Sequence, residues 1–219
     1  MFARLIFATD DGTPFRLIPF DFRMCCAPWL IYGWDMIRAG CWPLWCPYAG
    51  AGTPFFLNPQ TQTYSPFALL LGPLFGYSYR LAQLHEVAMI ALAGVGAYGL
   101  SNAIWKSRSA ALLSGLCYGL SSPLFSHLEH FPILSAYAWA PCIFWAILSA
   151  IEKRSRWGYI AIAAVTYSLM TAGYLGVLLM LIPWSSAFAL ALISRATSDN
   201  RERLRLIAKS AFAAGLGTA

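Results

Sequence analysis

Charge is scarce in this chain of 219 residues. Asp, Glu, Lys and Arg together make up 11% of it, against about 25% in a soluble globular domain. So few charges cannot cover a water-facing surface, which excludes an ordinary soluble domain. No basic stripe interleaved with aromatics is present, so the net charge of +6 does not point to nucleic acid. The six cysteines, Cys25, Cys26, Cys41, Cys46, Cys117 and Cys142, form no CxxC pair and no zinc-finger spacing with the three histidines. Cys117 and Cys142 fall in apolar runs and read as small packing residues. A disulfide among the first four stays open. Met1 to Ala8 is too short for the apolar core of a signal peptide, and no small-residue cleavage site follows it.

What the chain has instead is apolar and aromatic bulk. Hydrophobic residues reach 59% and aromatics 16%, a composition suited to wide membrane–water interfaces. The first 80 residues differ from the rest. Residues 39–79 carry no charge, but Pro43, Pro47, Pro54, Pro59, Pro66 and Pro73 interrupt them, and a spanning helix would not tolerate that density. This stretch reads as a folded loop at the membrane surface, with short interfacial helices near Pro28 to Ala39 and Pro66 to Phe75. Trp29, Trp34, Trp42 and Trp45 are expected at headgroup level.

Uncharged runs follow at Val87–Trp105, Ser109–Ser126, Phe131–Ile151 and Gly158–Ser194. At about 1.5 Å per residue the last would reach about 55 Å against a hydrocarbon core of about 30 Å. It must fold back, and Ala172-Gly173-Tyr174 is the natural turn. Lys106 and Arg108, then Glu152, Lys153, Arg154 and Arg156, then Arg195, Arg201, Arg203, Arg205 and Lys209 mark three loops that the positive-inside rule assigns to the cytoplasm. Two crossings between successive clusters agree with the fold-back. The expected fold is an all-α membrane protein. Residues 1–80 form an outer-face loop region, and residues 81–219 a polytopic bundle with spans near 84–105, 109–126, 131–151, 157–172 and 175–194. The apolar run after Lys209 is about half a span long, so the chain is expected to stop inside a last helix that starts near residue 207.

This topology places most polar residues with chemical potential on the outer face. Asp10 and Asp11 stand side by side and read either as an acid/base pair or as part of an Asp-Asp-Gly-Thr-Pro turn. His127, Glu129 and His130 cluster where a helix leaves the membrane. Their HxxH pattern resembles half a metal site without a clear third ligand, and it equally suits a polar turn. Arg80, His85 and Glu86 lie at another helix mouth on the same side, where Glu86 could simply be solvated. Asn58, Gln60 and Gln62 sit among aromatics in TPFFLNPQTQTYSP. Amides beside rings suit a sugar, and they suit ordinary loop bonding just as well.

Three stretches in order, PLWCPYAGAGTPFFLNPQTQTYSP at 43–66, LHEVAMIALAGVGAYGL at 84–100 and SAALLSGLCYGLSSPLFSHLEHFPILSAYAWAPCIFW at 109–145, resemble the YfhO-type bacterial membrane proteins. These are similar to the C-type superfamily of polytopic glycosyltransferases, and AGY at 172–174 falls where the family has a similar turn. Cys46 stands where Asn is expected, which removes one polar contact. The resemblance implies an enzyme of the cell membrane that moves a sugar from an undecaprenyl-phosphate carrier to a cell-envelope polymer on the outer face. It implies Asp10 or Asp11 as the acid that activates the acceptor, and further helices on both sides of this segment. Asn58, Gln60, Arg80, His85, Glu86, His127, Glu129 and His130 are the candidates for holding the lipid-linked sugar. No cofactor beyond that donor is called for, and dependence on a divalent metal stays open. An envelope-lipid transporter or flippase, or a non-catalytic scaffold, is the alternative. A transporter should carry polar residues at mid-depth in its spans, and these spans are almost free of them.

Overall fold

A computed structural model describes residues 21–49 and 51–218, so Asp10 and Asp11 lie outside the described residues. Among the described residues the fold is helical apart from one minute hairpin. A π-turn, Phe22–Cys26, leads into α1, Ala27–Arg38. The hairpin pairs β1, Trp45–Cys46, antiparallel with β2, Thr53–Pro54. After a 3₁₀ turn, Pro59–Thr61, comes α2, Pro66–Phe75. The rest is α3, Tyr79–Trp105; α4, Arg108–Gly119; α5, Ser122–Ser126; α6, Phe131–Ile151; α7, Arg156–Thr171; α8, Leu175–Ala196; and α9, Asn200–Leu216.

Local chemistry sets most of these boundaries. The hydroxyls of Ser65, Ser78 and Ser107 each accept a backbone N–H in the first turn of the helix they precede, satisfying donors that the helix itself leaves open. Lys106 takes a left-handed conformation to close α3. The two interfacial helices expected before residue 80 are present as α1 and α2. Their tryptophans do not all face a headgroup layer. Trp42 and Trp45 are largely exposed, but Trp34 is buried, because its ring packs directly over Gly72 of α2.

Among the described residues, three helices are long and apolar enough to cross a membrane: α3, α6 and α8. The run at 109–126 does not form one helix. It breaks at Leu120 and restarts with Pro123 in the first turn of α5, since proline fits the start of a helix and disrupts its interior. The run at 157–172 forms α7, whose 16 residues reach only about 24 Å. The fold-back at Gly173 is present, with φ +85° between α7 and α8.

The closest packing is that of α3 against α4 and against α6. Gly94 and Gly115 let the backbones of α3 and α4 approach, and Gly96 of α3 meets Pro141 and Cys142 of α6. Residues 21–78 sit over one end of the bundle. Phe22 meets Phe131 edge-on at 6.1 Å. Ser135 Oγ donates to Gln62 Oε1 at 3.2 Å, and Tyr167 Oη donates to the Tyr64 carbonyl at 2.7 Å. At the opposite end Arg154 and Glu202 form an ion pair of 2.6 Å, which joins the second and third basic clusters.

Candidate functional site

Under the cap formed by residues 21–78 lies a half-open cavity of about 200 Å³, lined by Asp21, Cys25, Cys26, Trp29, Gln60, His130, Pro132, Ile133 and Tyr174. Its walls come from four places far apart in sequence. Asp21 precedes the π-turn and Trp29 lies in α1. Gln60 belongs to the 3₁₀ turn, which is held by Asn58: its side chain accepts the Gln60 N–H at 3.0 Å. His130 and Tyr174 are the residues that open α6 and α8. A single π-turn continuous with an α-helix is rare and frequently marks a functional site.

The polar groups are arranged around His130. Its Nε2 lies 3.3 Å from Asp21 Oδ2, and its Nδ1 lies 3.8 Å from Glu129 Oε1. All three side chains are partly open to solvent, so the pairing adds little to stability. The two thiols are poor nucleophiles. Burial, and then the Asp21 carboxylate, push the Cys25 thiol up. Burial pushes Cys26 up to about 12, and only the thiolate reacts. All six cysteines are unpaired, so none of the first four forms a disulfide.

The other candidates divide into three groups. His127 flanks the cavity: its Nδ1 is 2.9 Å from Ser126 Oγ, and its ring lies 5.9 Å from those of His130 and Tyr137. Arg80 is exposed in the first turn of α3 and does not line the cavity. His85 and Glu86 are buried beneath it. His85 Nδ1 is 3.1 Å from Tyr77 Oη, and its ring stacks on Phe67. Glu86 is not solvated. It is 1% exposed, and neither carboxylate oxygen has a hydrogen-bond partner among the described residues. The turn of helix that would expose it is instead covered by the π-turn and α1. Among the described residues no three His, Cys, Asp or Glu side chains group as metal ligands.

A second feature adjoins the cavity. An apolar groove of about 550 Å³ runs between α4, α6 and α8, lined by Tyr118, Tyr137, Ala140, Phe144, Tyr174, Gly176, Val177, Met180, Leu181 and Trp184. Tyr174 therefore lines both the small cavity and the apolar groove. Asp21 and Tyr174 are the residues that sequence reasoning passed over as site candidates. The position of Asp21 just ahead of the first interfacial helix, and of Tyr174 in the fold-back turn, are the features that could have marked them. No family model matches this chain, and no curated protein or solved structure matches it.

Proposed function

We propose that this chain forms part of a cell-membrane glycosyltransferase of the YfhO type. It moves a sugar from an undecaprenyl-phosphate carrier to an envelope acceptor on the outer face. One observation carries the reading: a small cavity lined by rings, an amide, an imidazole and a carboxylate shares Tyr174 with an apolar groove. A sugar offers hydroxyls to polar groups and an apolar face to aromatic rings, and its isoprenoid carrier needs hydrocarbon surroundings. Gln60 and Trp29 suit the sugar, and the wall from Val177 to Trp184 suits the chain that follows the phosphate. The resemblance names Asp10 or Asp11 as the acceptor-activating acid, and both lie outside the described residues.

Transport of an envelope lipid is the competing class. It calls for polar groups at mid-depth, whereas the buried Gln83, His85 and Glu86 occupy the first two turns of α3. The experiment uses the intact membrane protein in vesicles of known orientation, with radiolabelled undecaprenyl-phosphate sugars and an envelope acceptor. Transfer is expected when the acceptor is supplied to the outer face. Tyr174→Ala should lower kcat/KM about 5–10-fold, the equivalent of about 1–1.5 kcal/mol of ring contact. Transfer only from the cytoplasmic face, or no transfer with any such donor, would overturn the proposal.

A further inference from the structure

We infer that an outward side of α9 is a docking surface for an anionic phospholipid, independently of the sugar chemistry above. One side of this helix, with Leu206 and Ala213, is buried against the bundle. A second side carries Arg201, Arg205, Lys209, Phe212 and Leu216, all exposed. Steps of three and four residues keep these five on one helix face. Three cations come first, and two large apolar side chains follow. The bundle fixes which end is which. Glu202, beside the first cation, pairs with Arg154 just ahead of α7. Gly217, beside Leu216, packs against Ala163, Thr166 and Tyr167 in the middle of α7. The cations therefore sit at the end of the bundle that gathers the basic clusters, and Phe212 and Leu216 lie level with its apolar interior.

The neighbouring charges leave this stripe available. Glu202 is taken by Arg154, and the Asp199 side chain accepts the Arg201 backbone N–H at 3.0 Å. Arg203 lies off the stripe, and its Nε donates to the Thr197 carbonyl at 2.9 Å. Among the described residues no carboxylate stands within ion-pair distance of Arg201, Arg205 or Lys209. These three cations span about 12 Å of helix, and such groups beside a membrane are drawn to anionic headgroups. The two helices that α9 packs on add an exposed Trp157 at the start of α7 and an exposed Arg195 in the last turn of α8, residue types that anchor at headgroup level. A soluble polyanion would use only the cations and leave Phe212 and Leu216 in water. A phospholipid uses both halves, with its phosphate on the cations and an acyl chain along the two apolar residues.

The test uses the intact membrane protein in phosphatidylcholine vesicles, with spin-labelled phosphatidylglycerol or phosphatidylcholine as the probe. Electron spin resonance reads the fraction of label immobilised on the protein. Phosphatidylglycerol should be preferred by about tenfold, and less so at high salt. Replacing Arg201, Arg205 and Lys209 together with Gln should cut that preference to under about twofold. Replacing Lys106, Arg108 and Lys153 with Gln removes the same charge from the other clusters and should leave most of the preference in place. Equal losses in the two triple variants would assign the effect to net charge and overturn the inference. Glycerol phosphate in large excess should not displace the label; displacement would reveal a site for a soluble phosphate and overturn it as well. If the triple variant fails to reconstitute, Arg205→Gln alone should lower the preference about two- to threefold, and an unchanged preference there would be equally fatal.

Discussion

Gly173→Ala is expected to destabilise the folded protein by about 2–6 kcal/mol. Two terms add. The residue sits at φ +85°, a left-handed conformation that costs a residue with a Cβ about 1–3 kcal/mol. The added methyl would also meet the Pro59 carbonyl oxygen and come within 2.7 Å of the Gln60 Cα. Both are backbone atoms and cannot swing aside, so relief requires moving the whole 3₁₀ turn, and overpacking of this kind costs about 1–3 kcal/mol. That turn carries Gln60, so the variant should also pull one wall of the cavity away from Tyr174. Thermal unfolding of the purified protein in detergent measures the first effect. Gly215→Ala provides the control, since a Cβ there meets nothing within 4 Å inside α9, and a helical Gly→Ala change should add about 0.5–1 kcal/mol. Equal responses at the two glycines would refute the close packing of the fold-back turn against the 3₁₀ turn.

Glu86→Leu should act in the opposite direction and raise stability by about 1–3 kcal/mol, the cost of a buried polar group left without a partner. Glu86 is 1% exposed, and both of its oxygens are unpartnered among the described residues. Leucine has a similar bulk and needs no hydrogen bonds. Glu86→Gln keeps a polar head in the same place and should change stability by under about 1 kcal/mol. Denaturant or thermal melts of both variants separate these outcomes. A clear loss of stability in Glu86→Leu would mean that the carboxyl is held by a group the described residues do not include.

The coarse plan of this molecule was legible because it follows from local rules. The uncharged run at 158–194 is too long for one crossing, and the structure folds it back at Gly173. Pro28 and Pro66 mark the starts of α1 and α2, as a proline in the first turn does. The break at Leu120 was missed because the apolar count alone ignores Pro123. The burial of Trp34 was missed for a different reason. Its ring is covered by Gly72, a contact between distant residues that neither segment announces. The cavity belongs to the same class. Gln60 and His130 stood out by residue type, but Asp21 has meaning only beside His130, and Tyr174 only as a residue that lines two cavities. Glu86 shows the limit from the other side: its position at a helix mouth suggested solvent, and the packing of α1 over α3 removes it from solvent.

The most direct test of the central claim is photoaffinity mapping on the intact membrane protein. The probe is an undecaprenyl-phosphate sugar carrying a diazirine in the isoprene unit next to the phosphate. Bound as proposed, its sugar occupies the cavity at Gln60 and Trp29, and its first isoprene units lie along α8 beneath Tyr174. Crosslinks should therefore concentrate at Val177, Met180, Leu181 and Trp184, and unlabelled lipid-linked sugar should abolish them. Labelling spread over the outward residues Ile160, Leu190 and Leu204, unaffected by the unlabelled donor, would contradict the account.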